Sequence, residues 1–213
     1  MSEGIRGFEV ISDERVGAGG FLELRRLRLK LVRHDGTLTG EGLYDVVERP
    51  MGLDAIVLVM WHRKPDGVEV LLRECVRVPI VFGRPEGLRT MVEVVAGILE
   101  VGEDDFAAVQ QRAADEAHEE AGLTLRTGEI ERLGPPLFPT PGMCAEKFHF
   151  VACHVDDPGS AVRPAGDGSP FEEGARLLWI DLDEALARFS RGDYDDMKTE
   201  LALRRLRDHL AVR

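Results

Sequence analysis

The stretch AIVLVMWHR, residues 55–63, limits the fold of this 213-residue chain more than any other segment. Its apolar run from Ala55 to Trp61 falls far short of the ~20 residues that a membrane-spanning helix needs. A run of this length suits a central strand with both faces buried. Pro65-Asp66-Gly67 is a turn, and VEVLLR (68–73) follows as the partner strand of a hairpin. Around this hairpin the chain reads as strands first. FLELRRLRLKLV, residues 21–32, alternates apolar and basic positions, as a half-exposed strand does. Gly17, Gly19 and Gly20 before it read as a hairpin turn, because no helix follows and the last glycine of a dinucleotide loop is missing. Strand character continues over 43–47 and Pro50 closes it.

Further strands are expected at 91–96, 130–133, 148–155 and 177–180, and helices at 104–121, 181–189 and 195–210. Asp104 or Asp105 caps the first helix and Gly122 ends it. The last helix is expected to bury Met197, Leu201 and one of Leu206 or Leu210. The segment 156–170 reads as a linker. Strands, one acidic helix, more strands and then helices make a mixed-sheet α/β sandwich (α+β) rather than a doubly wound parallel sheet.

Charge narrows the function. Asp and Glu number 39 against 27 Lys and Arg, a net charge of −12, the wrong sign for a nucleic acid partner. No membrane association is read from the sequence. The first residues lack a basic start followed by an apolar core, so the cytoplasm is the expected compartment. Cys75, Cys144 and Cys153 form no CxxC pair and read as free thiols rather than zinc ligands or a disulfide framework.

The acidic helix carries the chemistry. Glu116, Glu119 and Glu120 are spaced i, i+3 and i+4, which gathers three carboxylates within about a third of the helix circumference. A structural helix would relieve their repulsion with lysines, and such a face can also be merely solvated. A divalent cation resolves it, and hard oxygen donors suit Mg²⁺ or Mn²⁺.

The surrounding sequence, AGILEVGEDDFAAVQQRAADEAHEEAGL, resembles the Nudix box, G-x5-E-x7-R-E-U-x-E-E-x-G-U, where U is aliphatic. Gly97, Glu103, Glu116, Glu119, Glu120, Gly122 and Leu123 match it. The resemblance implies a Nudix-type mixed-sheet α/β/α sandwich in which strand, loop and helix hold Mg²⁺ against a diphosphate. It implies Glu116 and Glu120 as metal ligands with the carbonyl of Ala96, and Glu119 as a further ligand or a base.

Two departures stand out. Glu103 and Glu119 are sixteen residues apart, where the pattern has twelve. Four extra helical residues would turn the glutamates by only ~40°. The box arginine is replaced by Asp115, and Arg112, one turn before Glu116, is the candidate substitute. Arg112 and Glu103 are therefore expected to support the ligands from behind.

The similarity extends over roughly residues 20–210 and is to the ADP-ribose pyrophosphatase branch of the Nudix hydrolases. VEVLLRECVRVPI resembles a strand ending in a phosphate-binding arginine, here Arg77. TPGMCAE resembles an S-P-G-x-x-x-E loop, with Gly142 and Glu146 as substrate-side residues. FEEGARLLWIDLDEAL resembles the loop that supplies a catalytic glutamate, here Glu173 or Glu172. By resemblance, residues 1–50 form an antiparallel β subdomain that dimerises the chain, and 51–213 form the Nudix domain. The implied activity is Mg²⁺-dependent hydrolysis of ADP-ribose or a related nucleoside diphosphate sugar. Asp115 and the insertion favour a rival, a catalytically silent nucleotide-binding or regulatory module.

Overall fold

In the computed structural model, residues 5–17, 20–84, 89–162, 164 and 175–212 are described below. They divide into two compact units, one of residues 1–53 with 138–146, the other of 54–137 with 147–213. No helix among the described residues is long and apolar enough to cross a membrane.

The first unit is built on a three-stranded antiparallel sheet in the order β1-β2-β3, formed by Ile5–Val16, Glu23–Arg33 and Gly42–Glu48. The basic positions of β2 face acidic positions on its neighbours: Arg26 meets Asp45 at 2.9 Å, and Arg25 meets Glu48 at 3.1 Å and also Asp13. Arg28 pairs with Glu41 just before β3. The alternation read from the sequence thus places arginines on a surface of ion pairs, and a turn at Gly17, with φ +76°, leads out of β1. The 138–146 loop joins this sheet through a parallel bridge between Val47 and Cys144, with the Val47 amide donating to Met143 O at 2.9 Å.

The second unit is a seven-stranded mixed sheet between helices. β4 (Ala55–Lys64) lies at its centre, paired with β5 (Gly67–Val76) on one side and parallel to β9 (Phe148–His154) on the other. β10 (Arg176–Asp181) extends the sheet beyond β5, and β8 (Glu131–Arg132) extends it beyond β9. The apolar run of β4 has both faces covered. Ile56, Leu58 and Met60 pack with Val109, Ala113, Ala117 and Ala121 of α2 (Phe106–Ala121). Val57 and Val59 pack on the other side with Leu186 of α3 (Leu182–Arg191) and with Ala202, Leu203 and Leu206 of α4 (Met197–Ala211). The expected α/β/α sandwich is therefore present.

Helix ends follow local chemistry. Asp105 caps α2 by accepting from the Ala108 amide at 2.8 Å. Gly122 ends it at φ +66°, where a side-chain carbon would stand 1.9 Å from Val162 O, so only glycine fits.

Four details depart from the sequence expectations. The strand expected at 91–96 is two strands, β6 (Thr90–Glu93) on β5 and β7 (Val95–Ile98) on β4. The break falls at Val94, whose amide donates to Thr199 Oγ1 of α4 at 2.9 Å rather than to a neighbouring strand. A short helix, α1 (Val78–Gly83), follows Arg77 because Pro79 fits a first helical turn. The last helix buries Thr199, Ala202, Leu203 and Leu206, whereas Met197 at its first turn is 58% exposed and Leu201 and Leu210 are half-buried. The strand expected at 130–133 shrinks to β8 behind a 3₁₀ turn. All three cysteines are free thiols, as expected, with Cys75 and Cys153 buried. Of the 156–170 linker, residues 163 and 165–170 lie outside the described residues.

Candidate active site

The acidic face of α2 meets the strand β7 at Gly97. A side-chain carbon on Gly97 would stand 1.9 Å from Glu116 Oε1 and 2.2 Å from its Cδ, so the carboxyl group occupies the space that any other residue would fill. The box glycine and Glu116 are thus in close contact, with no room between them for a side chain at position 97. Ala96, the candidate carbonyl ligand, precedes Gly97 in β7 and pairs with Val57.

Glu120, one turn beyond Glu116, is held by a residue that the sequence reading overlooked. Arg73 Nη1 of β5 donates to Glu120 Oε1 at 2.6 Å, and the two side chains are 6% and 10% exposed. Glu119 is half-buried, and His118 faces solvent. Asp115, at the box arginine position, accepts from Gln111 Nε2 at 2.8 Å.

Arg112 lies in front of these carboxylates rather than among them. Its Nη2 donates to Glu103 at 3.0 and 3.1 Å, and it meets Glu100 at 3.1 Å. Glu103 Oε2 also accepts the Glu100 amide at 2.8 Å. Arg112 therefore ties the loop before α2 to the helix. Partial burial alone would raise the Glu103 pKa, but its bonds to Arg112 and to the Glu100 amide hold it below the ordinary 4.5.

Arg77 directly follows β5 and is held by a second overlooked residue, Glu93 of β6. The Glu93 carboxylate is 1% exposed, pairs with Arg77 and Lys198, and accepts from Cys75 Sγ at 3.0 Å. Burial alone would raise its pKa, yet the Lys198 and Arg77 charges outweigh that and keep it below 4.5. Burial disfavours the Arg77 cation, but the charge and hydrogen bond of Glu93 outweigh that, with a smaller contribution from Glu120, and hold its pKa above the ordinary value. Burial and the Glu93 charge push the Cys75 thiol up to about 12, so it is inert at neutral pH.

Gly142 and Glu146 belong to the first unit. There the Gly142 carbonyl accepts from Tyr44 Oη at 2.7 Å, and Glu146 pairs with Arg49 at 2.6 Å. Glu172 and Glu173 lie outside the described residues. Glu93 left a signal in the sequence, a charged residue in the otherwise apolar stretch MVEVVAG, and Arg73 left a weaker one, since VEVLLRECV also carries Glu69 and Glu74.

Among the described residues no three His, Cys, Asp or Glu side chains stand together as a ready metal cluster. The donor chemistry nevertheless suits a hard divalent ion. Glu116, Glu120 and the Ala96 carbonyl offer oxygen alone, and the Gly97 backbone leaves room for the Glu116 carboxyl.

No family model matches the chain. It is 26% identical over 190 residues to the GDP-mannose pyrophosphatase of Citrobacter koseri, covering 89% of this chain and 90% of that protein. Its fold matches the crystal structure of an ADP compounds hydrolase with a TM-score of 0.68 at 15% identity, covering 99% of this chain and 97% of that one. The site belongs to the class in which a strand, a loop and an acidic helix present carboxylates side by side. Box, fold and relative point the same way: the chain resembles the Nudix-type, ADP-ribose pyrophosphatase-like proteins. Proteins of this type in general use divalent metals.

Proposed function

We propose that this chain hydrolyses the diphosphate bond of ADP-ribose or a related nucleoside diphosphate sugar, GDP-mannose included, giving a nucleoside monophosphate and a sugar phosphate. The observation that carries the reading is the carboxylate pair on α2, with Glu116 seated on Gly97 and Glu120 held by buried Arg73. The names of the curated relative and of the structural neighbour support the substrate class.

Glu116, Glu120 and the Ala96 carbonyl would hold Mg²⁺, with Mn²⁺ as a substitute. When bound, such an ion supplies positive charge against the diphosphate oxygens and acidifies water. Arg77 binds one phosphate through its guanidinium. Because buried Glu93 and Lys198 fix the base of that arrangement, Arg77 meets the substrate pre-oriented. Glu119 accepts the proton of the attacking water, or Glu172 or Glu173 does. The water oxygen forms a bond to one phosphorus while the bridging P–O bond breaks, and the departing phosphate leaves as the second product.

The N-terminal β subdomain would pair two copies into a homodimer, which the exposed Val10, Phe21, Leu22 and Leu43 of the first unit support. The cytoplasm is the proposed compartment, and no nucleic acid partner is proposed. Phosphate release with Mg²⁺, measured by coupled phosphatase over nucleotide sugars, coenzyme A and dinucleoside polyphosphates, tests the activity. Turnover of a nucleoside diphosphate sugar is expected. Binding of that sugar without turnover would favour the rival silent module, for which Asp115 speaks.

A further inference from the structure

Arg73 sits two residues after Leu71, which packs against the α2 side of the sheet, so the strand period of two aims both side chains toward α2. A guanidinium this deeply buried demands a counter-charge, and Glu120 supplies it at 2.6 Å. The reverse need is equally clear. Glu116, Glu119 and Glu120 crowd negative charge onto one helix face, and the position where the box pattern has arginine carries Asp115, which is engaged with Gln111. Arg112 is taken up by Glu103 and Glu100, and Arg77 by Glu93. On Glu120 a positive charge is laid directly by Arg73, and it comes from the neighbouring strand rather than from the helix.

We propose that Arg73 is an internal counter-ion of the metal site. It occupies an oxygen of Glu120 while no cation is bound, yields that contact when a divalent cation binds, and thereby sets the affinity for the ion. The inference rests on Glu116 and Glu120 being the metal ligands. Two features of the pair support it. A guanidinium cannot shed its proton, so the competition with a cation is not relieved by deprotonation, as it could be with lysine. The contact is also buried, with the two side chains 6% and 10% exposed, so little solvent screens the competition between guanidinium and ion.

Calorimetric titration with Mg²⁺ alone, on the wild-type chain, Arg73→Met and Arg73→Lys, tests the idea without reading activity. Arg73→Met keeps length and removes charge. It is expected to bind Mg²⁺ roughly ten-fold tighter, the scale on which single partners of metal ligands act, and to melt lower without metal. Arg73→Lys, which keeps a charge but one that can be shed as a proton, is expected to fall between wild type and Arg73→Met. Unchanged or weaker Mg²⁺ binding by Arg73→Met would overturn the proposal and leave Arg73 a structural residue. If that variant does not fold, a crystal structure of the wild-type chain with Mn²⁺ decides. The Arg73–Glu120 contact should open beyond about 3.5 Å, and an intact contact beside a Glu120-bound ion would overturn the proposal. A wild-type chain that binds no Mg²⁺ would instead remove the metal-dependent reading itself, and the inference with it.

Discussion

In β2 the charged residues alternate with apolar ones and end on an exposed surface, where Arg26 meets Asp45 and Arg28 meets Glu41. In β5 and β6 two charged residues, Arg73 and Glu93, end inside, where Arg73 meets Glu120 and Glu93 meets Arg77 and Lys198. Both regions are sheets laced with ion pairs, but the pairs differ in kind. An exposed pair trades water for a partner at nearly equal free energy, and the fold is indifferent to it. A buried pair leaves an uncompensated charge if one member is lost, so each member depends on the other. Ion pairs of the first kind clothe a sheet; those of the second kind hold functional side chains in one orientation.

The sharpest break of this comparison comes from Gly97. Gly97→Ala puts a carbon where Glu116 Oε1 stands, and the neighbour that must give way is a flexible side chain rather than backbone. The fold should survive with its melting temperature little changed, while turnover falls roughly a hundred-fold because the carboxyl is displaced. Kinetics and a thermal melt on the same sample separate the two effects; a large loss of stability would make Gly97 a folding residue instead.

Glu93→Gln probes the buried kind of pair. The lost carboxylate leaves Lys198 and Arg77 facing a neutral amide, and a cost of about 3 kcal/mol at neutral pH is expected. The Glu93 pKa lies below 4.5 in the folded chain. Its contribution is therefore complete above that value and is lost as pH falls through the depressed one. The stability gap between variant and wild type should be widest at neutral pH and shrink below pH 4.5, as denaturant melts across a pH series would show. Arg26→Ala is the opposite case. Its pair with Asp45 is on the surface, and the melting temperature is expected to be indistinguishable from wild type.

Much of the fold was legible because burial writes itself into periodicity. β4 reads as an unbroken apolar run because helices cover both its faces, and α2 shows its caps at Asp105 and Gly122. What escaped was decided by tertiary partners. Thr199 splits β6 from β7 by taking the Val94 amide, and no local pattern announces a hydroxyl from 105 residues away. Met197 has the spacing of a core residue, but the buried stripe begins two residues later at Thr199, where a capped first turn meets Val94.

The candidate site shows the same division. Glu116, Glu119 and Glu120 were legible from spacing along one helix, and the close fit of Gly97 to Glu116 agrees with the box. The partners of those groups were not legible, since Arg73 and Glu93 reach them across strands. Arg112 was expected to support the carboxylates of the helix. Its partners are the acids of the preceding loop, Glu100 and Glu103, because its long side chain reaches toward the helix start, where partly buried Glu103 receives it.

The most direct test of the central claim is steady-state hydrolysis of ADP-ribose with Mg²⁺ by the wild-type chain and by Glu120→Gln, with circular dichroism confirming that both are folded. The substitution preserves shape and removes one negative charge from the acidic face. The account predicts AMP and a sugar phosphate from the wild type and a loss of more than about a hundred-fold in Glu120→Gln. Wild-type turnover by a folded Glu120→Gln would contradict it, for the carboxylates of α2 would then be an ordinary solvated face.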